Sequence, residues 1–135
     1  MAFGIKRNAT DALFSDCVRE IAGWKCERCG KQYVKKESLG GSGLECSHYW
    51  SRRNRSVRWD FENAASLCSY CHRLFTENPS LHHSFFIKRL GQEKYEQLGI
   101  RARTPTKLDE KEIRANLRQK LKDIRGNHVV FKDYH

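Results

Sequence analysis

The fold is decided by two short stretches of sequence, Cys26-Glu27-Arg28-Cys29-Gly30 and Cys68-Ser69-Tyr70-Cys71. Each cysteine pair can place two thiolates on one tetrahedral ion, and two pairs complete a closed zinc site. Gly30 suits the tight turn after the first pair because glycine tolerates a positive φ. No βαβ pattern surrounds either pair, which argues against a thioredoxin-like redox motif. We therefore predict a structural zinc ion that stabilises the fold and does no chemistry, on Cys26, Cys29, Cys68 and Cys71.

The segment between the two cysteine pairs, residues 30–67, is longer than a simple zinc ribbon needs and indicates an insertion. The run from Gly40 to Gly43 predicts a flexible turn. A strand is expected over residues 44–50, followed by a basic loop over residues 52–58. Cys46 lies in this insertion, close to His48, and is either an extra ligand or a buried free thiol, of which the thiol is favoured.

Charge and composition indicate the class of partner. The chain has 135 residues, 39% of them hydrophobic, and a formal net charge of +10 from 26 Lys and Arg against 16 Asp and Glu. Such a chain should fold, and its positive charge favours an acidic polymer, with nucleic acid first and a membrane surface second. No apolar run approaches the ~20 residues of a bilayer span. No signal peptide is recognisable either, so we expect no membrane association and a cytoplasmic protein with reduced cysteines.

A helix is predicted before the cysteine-rich segment, over residues 10–22. Thr10 can cap it, Gly23 can end it, and Cys17 is expected in its core-facing surface. Its apolar residues recur at helical spacing: Leu13, Phe14, Cys17, Val18 and Ile21.

Helices also dominate the second half of the chain. Residues 63–75 are expected to run from a short turn into a helix that contains Cys71 and His72. Residues 80–98 are predicted to be helical, with a break at Gly91, and residues 99–106 to be a linker. The last helix is predicted over residues 108–125, with a capping box of Thr106 and Asp109. We expect its apolar stripe to pack within the chain rather than against a partner: Ile113, Leu117, Leu121 and Ile124.

His48, Asn63 and His72 carry a resemblance to a known family. Asn63 lies five residues before Cys68, and His72 directly follows Cys71. This arrangement resembles the His-Asn-His signature of zinc-bearing HNH nucleases, in which a β-hairpin carries the first His, a loop the Asn and a helix the last His. The resemblance implies an α+β fold, a small ββα-metal (HNH or His-Me finger) domain stapled by the four-cysteine site, with flanking helices. We accordingly divide the chain into an N-terminal helix (1–23), a nuclease core (24–78) and a C-terminal helical extension (79–135).

A narrower resemblance covers roughly residues 24–125. The stretches 45–49, 59–63, 87–98 and 117–125, together with the second cysteine pair, look like the NinG/Rap recombination endonucleases of lambdoid phages. This likeness implies a phage protein, in the host cytoplasm, that cleaves branched DNA formed during recombination. The oligomeric state is left open, with a homodimer as one possibility.

Phosphodiester hydrolysis assigns roles to these residues. A neutral imidazole with a pKa of about 6.5 can accept a proton from water at neutral pH, and we assign this role to His48. His72 is the expected ligand of a catalytic Mg²⁺ or Mn²⁺ ion. By the resemblance, Asn63 orients the base or its loop. The arginines of the basic loop are expected to bind DNA phosphates: Arg52, Arg53, Arg55 and Arg58.

The sequence departs from the HNH pattern just before the expected base. Many HNH nucleases have an acidic or His metal ligand at that position, which is Ser47 here. Glu45 and Asp60 are the acidic substitutes nearby. An alternative register makes His48 the metal ligand and puts Tyr49 at the position of the base. The remaining histidines are interpreted as surface or core residues: His82, His83, His128 and His135.

Three functions compete at this point. The favoured one is a metal-dependent endonuclease acting on branched DNA. A non-catalytic zinc-dependent DNA-binding module would explain the charge and the cysteines but would leave His48, Asn63 and His72 without a role. An HNH nuclease of restriction or homing type would need sequence readout, and the sequence shows no recognition helix for it.

Overall fold

The computed structural model describes residues 6–35 and 43–134, with the backbone alone for 127–134. The expected glycine-rich turn at 40–42, the side chain of His128 and all of His135 lie outside the described residues. None of the helices in the described part of the chain combines the length and the apolar character that a bilayer span requires.

The centre of the fold is a two-stranded antiparallel hairpin. Strand β1 (Leu44–His48) pairs with β2 (Ala64–Cys68), with Leu44 opposite Cys68 and His48 opposite Ala64. Every residue of β2 is buried. The prediction that residues 63–75 run from a turn directly into a helix is therefore wrong for its first half. The strand lacks the alternation of apolar and polar residues because both of its faces are covered.

Helix α2 (Ser69–Glu77) follows β2 without a loop. Cys68 caps the helix, its Sγ accepting from the backbone N–H of Cys71 at 3.4 Å. The second cysteine pair thus straddles the junction of strand and helix, and His72 lies in the first turn of α2. The predicted helix around Cys71 and His72 is confirmed from Ser69 onward.

Helix α1 (Ala9–Ile21) begins one residue before the predicted range. Its N-cap is Asn8, which forms a capping box with Asp11: Asn8 Oδ1 accepts from the Asp11 N–H at 3.0 Å, and Asp11 Oδ2 accepts from the Asn8 N–H at 2.9 Å. The prediction of Thr10 as the cap is wrong. Thr10 is buried in the first turn, where its hydroxyl donates to Glu110 at 2.9 Å.

Helix α5 (Glu110–Tyr134) packs along α1. Leu117 and Leu121 join Phe14, Cys17 and Val18 of α1 in one buried cluster. This contact confirms Cys17 as a core residue and the stripe on the last helix as an intramolecular surface. Of the predicted capping box, only Asp109 caps α5, and its side chain accepts from the Glu112 N–H at 3.2 Å. The Thr106 hydroxyl donates instead to the Thr104 carbonyl.

Helices α3 (Pro79–Leu90) and α4 (Gln92–Arg103) meet at Gly91, whose φ of 86° breaks the helix where the sequence predicted. The predicted linker at 99–106 is wrong up to Arg103, because α4 continues through Gly99. Gly99 is buried, and a Cβ there would lie 3.1 Å from Arg103 Nη1. A second apolar cluster forms around the cysteines: Trp24, Leu44, Leu67, Phe75 and Phe86.

Candidate functional site: a four-thiol cluster beside a polar groove

The four predicted zinc ligands converge on one point. The sulfur atoms of Cys26, Cys29, Cys68 and Cys71 all lie within 4.8 Å of one another, and Cys29 Sγ is 3.9 Å from Cys68 Sγ. Tetrahedral zinc with Zn–S bonds of about 2.3 Å separates its sulfurs by roughly 3.8 Å. The four thiols therefore fit a structural zinc ion. Among the residues that the structure describes, they form the one group of three or more side chains able to hold a metal together.

Burial and hydrogen bonds shift the pKa values of two thiols of the cluster in opposite directions. Burial alone would raise the pKa of Cys26, but hydrogen bonds from the backbone of Cys29, Cys68 and Arg28 overcome it and lower this pKa to about 7. For Cys71 burial prevails and raises the pKa to about 12, although Arg28 donates to its sulfur at 3.4 Å. Four thiolates cannot coexist here without a positive ion between them.

Cys46 is not part of this cluster. It packs at the edge of the cluster that joins α1 and α5, and burial raises its pKa to about 12. Cys46 is therefore a protonated, partly buried thiol that also lines the groove described below, and not a fifth ligand of the cluster.

A groove of about 540 Å³ opens between α1, β1 and the start of α2. Its lining combines the candidate catalytic side chains His48, His72 and Glu45 with polar residues of α1 and with Arg52. Of the residues predicted from the sequence, the groove brings together His48, His72, Glu45 and Arg52.

His48 ends β1 on the wall of this groove. Its Nε2 lies 2.9 Å from the carbonyl oxygen of Arg58. Since a carbonyl only accepts, Nε2 carries the hydrogen, and in the neutral ring Nδ1 has the free lone pair. Burial lowers the pKa of His48, with the positive charges of Arg52 and Arg58 acting in the same direction. His48 is consequently neutral at pH 7.

Asn63 is fully buried and holds the basic loop by its side chain. Its Oδ1 accepts from the Trp50 N–H at 2.8 Å, and its Nδ2 donates to the carbonyls of Trp50 and Val57 at 2.9 and 3.0 Å. Its backbone carbonyl also accepts from the Tyr49 N–H, so that both ends of the segment 49–57 are tied to one residue.

His72 and Glu45 form a pair at the open side of the groove. His72 Nδ1 lies 2.5 Å from Glu45 Oε1, and both side chains are between one third and one half exposed. The Glu45 carboxylate is an oxygen ligand of the kind that Mg²⁺ and Mn²⁺ prefer, and these ions take further ligands from water and substrate phosphate.

The structure does not bring Asp60 to this site. Its carboxylate accepts from the Glu62 N–H at 3.0 Å and from Arg101 Nε at 2.9 Å. Ser47, in the position before His48, is also buried and does not line the groove. Of the two acidic substitutes for the missing ligand, only Glu45 lies beside His72.

The four arginines of the basic loop have different environments. Arg52 lines the groove and lies 3.6 Å from Asp11, and Arg55 lies 3.4 Å from Glu110 with its side chain 49% exposed. Arg53 is exposed. Arg58, by contrast, is buried against Asp11, so the structure does not place it with the other three at the surface.

Residues of α1 and the segment before it form a wall of the groove that the sequence interpretation missed. Arg7, Asp11, Ser15 and Arg19 recur every four residues and line the groove together. The signal was present in the sequence, because residues four apart share one face of a helix and this face is polar. It was overlooked beside the stronger apolar stripe of the same helix.

A hairpin followed directly by a helix, four thiols closed around one point and a histidine-lined groove beside them define a small metal-binding domain of mixed helix and strand. In a comparison with known families, residues 26–77 match the family model of the HNH endonuclease. The match covers the cysteine cluster, His48, Asn63 and His72, and it supports an HNH domain in the chain, which suggests a nuclease and implies DNA as its substrate. The narrower likeness to NinG/Rap endonucleases gains no support from the comparisons.

No curated protein and no solved structure matches the chain. The α1 wall of the groove lies outside the segment that matches the family model.

Proposed function

We propose that the protein is a metal-dependent DNA endonuclease of the ββα-metal type. The observation that carries the proposal is the 2.9 Å contact between His48 Nε2 and the Arg58 carbonyl, from which the tautomer of His48 follows. Its Nε2 is committed to the Arg58 carbonyl, so that Nδ1 can accept a proton on the wall of a groove that also holds the Glu45–His72 pair.

In this proposal His48 is the general base. A neutral imidazole can take the proton of the attacking water as the water adds to phosphorus. Asn63 positions the loop that His48 contacts, through its hydrogen bonds to Trp50 and Val57. The zinc cluster has no open position and serves the fold.

His72 and Glu45 would hold the catalytic ion, and Asp60 leaves the set of proposed ligands. Such an ion supplies charge neutralisation at the phosphate and the leaving oxygen. The His72 imidazole and the Glu45 carboxylate lie 2.5 Å apart, so both side chains are together on the groove.

Positive charge around the groove would bind the substrate strand. Arg7 and Arg52 line it, and Arg53 and Arg55 lie on the loop beside it, whereas Arg19 in the same lining is buried and paired with Asp16 at 2.6 Å. Arginine suits this task because its planar donors match a phosphate in pairs.

The alternative register, with Tyr49 as the base, is disfavoured by its environment. The Tyr49 hydroxyl lies 2.7 Å from that of Tyr95 and 2.9 Å from His83 Nδ1, among the rings of α3 and α4. Burial raises its pKa, and Tyr49 does not line the groove.

We further propose branched DNA as the preferred substrate, on the likeness to recombination endonucleases. The test is cleavage of matched linear duplex, fork and four-way junction DNA with Mg²⁺, Mn²⁺ or EDTA. We expect metal-dependent cleavage that is fastest on a branched substrate. Equal rates on all three would reject the preference for branches. Cleavage of none, with tight binding to each, would show a zinc-dependent DNA-binding module instead.

A further inference from the structure

We propose that Asp11 is a positioning residue for His48: it anchors Arg58, and the Arg58 carbonyl in turn holds the imidazole of His48. This inference rests on the proposed nuclease function for its kinetic consequence. The positioning itself is a property of the fold and can be tested without any cleavage.

The Asp11–Arg58 contact is buried and made at two points. Arg58 Nε donates to Asp11 Oδ1 at 3.0 Å, and Arg58 Nη2 donates to Asp11 Oδ2 at 2.5 Å. The exposed fractions of the two side chains are 8% and 3%. A bidentate pair of this kind fixes the guanidinium in direction as well as in distance.

Two further hydrogen bonds hold the Asp11–Arg58 pair in place. Trp59 Nε1 donates to Asp11 Oδ1 at 3.0 Å, and Arg58 Nη2 also donates to the Lys6 carbonyl at 3.2 Å. Burial by itself would raise the pKa of Asp11, but its hydrogen bonds with Arg58, Asn8 and Trp59 give a net lowering. Asp11 is therefore ionised at neutral pH.

The backbone next to His48 is thus held by two separate clamps on consecutive residues. Asn63 Nδ2 donates to the carbonyl of Val57 at 3.0 Å, from within the hairpin. Asp11, on α1, holds the side chain of residue 58, and the carbonyl of residue 58 accepts from His48 Nε2. Without the Asp11 carboxylate, the buried Arg58 guanidinium loses its charge partner and keeps only its hydrogen bond to the Lys6 carbonyl, so we expect residue 58 to move.

Asp11 lies outside residues 26–77, the segment that matches the family model. Phe14, one turn further along α1, also packs on the His48 ring, with centroids 5.7 Å apart. Helix α1 would therefore complete the catalytic unit and not merely cover it.

The first experiment observes the imidazole directly. Long-range ¹H–¹⁵N spectra of the full chain, recorded above pH 7, should show His48 as a single Nε2–H tautomer. Asp11→Asn should give a mixture of tautomers. The control, Glu62→Gln, weakens the pair with Arg101 next to the same loop and should leave the spectrum unchanged. An unchanged His48 tautomer in Asp11→Asn would overturn the proposal, whether or not the protein cuts DNA.

The second experiment is a double-mutant cycle on DNA cleavage. Asp11→Asn should lower kcat by roughly 10- to 100-fold, the loss expected when a catalytic group is misplaced, with KM nearly unchanged. In the His48→Ala background it should cause no further loss, because it acts through His48. An equal loss in both backgrounds would show a merely structural role.

If Asp11→Asn does not fold, Arg58→Lys provides the same test, since lysine keeps the charge but cannot form the bidentate pair. If the wild-type protein cuts no DNA, the nuclease proposal fails while the tautomer spectra still decide the positioning.

Discussion

At the scale of single residues, one hydrogen bond determines what His48 can do. A neutral imidazole has one nitrogen that donates and one that accepts, and its partners decide which is which. The Arg58 carbonyl makes Nε2 the donor, so that the basic nitrogen is Nδ1. The opposite tautomer would have its lone pair facing a carbonyl oxygen and could accept no proton from water.

Replacing the two histidines should separate their roles. His48→Ala should lower the cleavage rate by about 10²- to 10⁴-fold, the usual effect of losing a general base, with zinc content and DNA affinity nearly unchanged. His72→Ala should be partly rescued by higher Mg²⁺ or Mn²⁺, because it weakens the proposed ion site, and no metal concentration should rescue His48→Ala. Rescue of His48→Ala by metal, with an inactive Tyr49→Phe, would instead support the alternative register.

The pH dependence of cleavage should report His48. The base acts when neutral, and burial lowers its pKa below the usual value. We therefore expect kcat/KM to be independent of pH around pH 7. It should fall as the pH drops further, with a midpoint below about 6.5. Arg52→Ala should move this midpoint upward, since it removes a positive neighbour of His48. A wild-type midpoint above pH 7 would contradict His48 as the base.

The identity of these residues could be predicted, but their partners could not. The spacing of His48, Asn63, Cys68 and His72 singles them out along the chain. Nothing in the basic loop distinguishes Arg58 from Arg52. The difference comes from Asp11, 47 residues before Arg58 in the sequence. Its carboxylate forms a buried pair with Arg58 but lies 3.6 Å from Arg52.

At the scale of secondary-structure elements, the junction of β2 and α2 holds both a pair of predicted zinc ligands and a candidate catalytic residue. Cys68 ends the strand and caps the helix, Cys71 lies in its first turn, and His72 follows. A metal on the cysteines would therefore fix the direction of α2 and, with it, the position of His72 on the groove.

Removing the zinc ligands should unfold this junction. A four-thiolate zinc site contributes on the order of 10 kcal/mol to folding. Cys26→Ser or Cys71→Ser should therefore abolish the cooperative thermal transition, and the wild type should contain about one zinc per chain by elemental analysis. Cys46→Ser, outside the cluster, should keep its zinc. A metal-free wild type with a native circular-dichroism spectrum would disprove the structural role.

The sequence predicted those elements in which apolar and polar residues form a clear pattern. Helices α1 and α5 have an apolar stripe on a polar background, and the sequence predicted both. Strand β2 is missed because Ala64-Ala65-Ser66-Leu67-Cys68 is small and buried on both faces, so it lacks alternation. The end of α4 is missed because Gly99 suggests a loop, whereas it lies in a buried helical turn.

At the scale of the whole molecule, the net charge of +10 is partly committed to internal pairs. Arg58, Arg89, Arg101, Arg114 and Arg125 each contact a carboxylate within the chain. Arg52 and Arg55 also lie 3.6 and 3.4 Å from a carboxylate, but their side chains are 31% and 49% exposed. With the exposed Arg7 and Arg53, they are the groove and loop arginines placed to meet an acidic polymer.

DNA binding should weaken with salt through these groove arginines. Each phosphate contact adds about −0.9 to the log–log slope on duplex DNA, so Arg7→Ala with Arg52→Ala should flatten the slope by roughly 2. Binding is measured in a His48→Ala background to prevent cleavage. Arg118→Ala, exposed on α5 away from the groove, is the matched control and should leave the slope unchanged. An equal effect of the control would mean that DNA does not bind in the groove.

The packing of α1 against α5 also has a consequence for the newborn chain on the ribosome. Cys17 Sγ contacts the carbonyl of Leu117, 100 residues later. At about 5–20 residues per second, α1 waits roughly 5–20 s for the helix that supports it. Because α1 carries Asp11, the proposed nuclease would reach its full activity only after translation has passed α5. Chains stalled after Cys71 and before residue 105 should then bind zinc but cut DNA more slowly than chains stalled on a linker beyond α5.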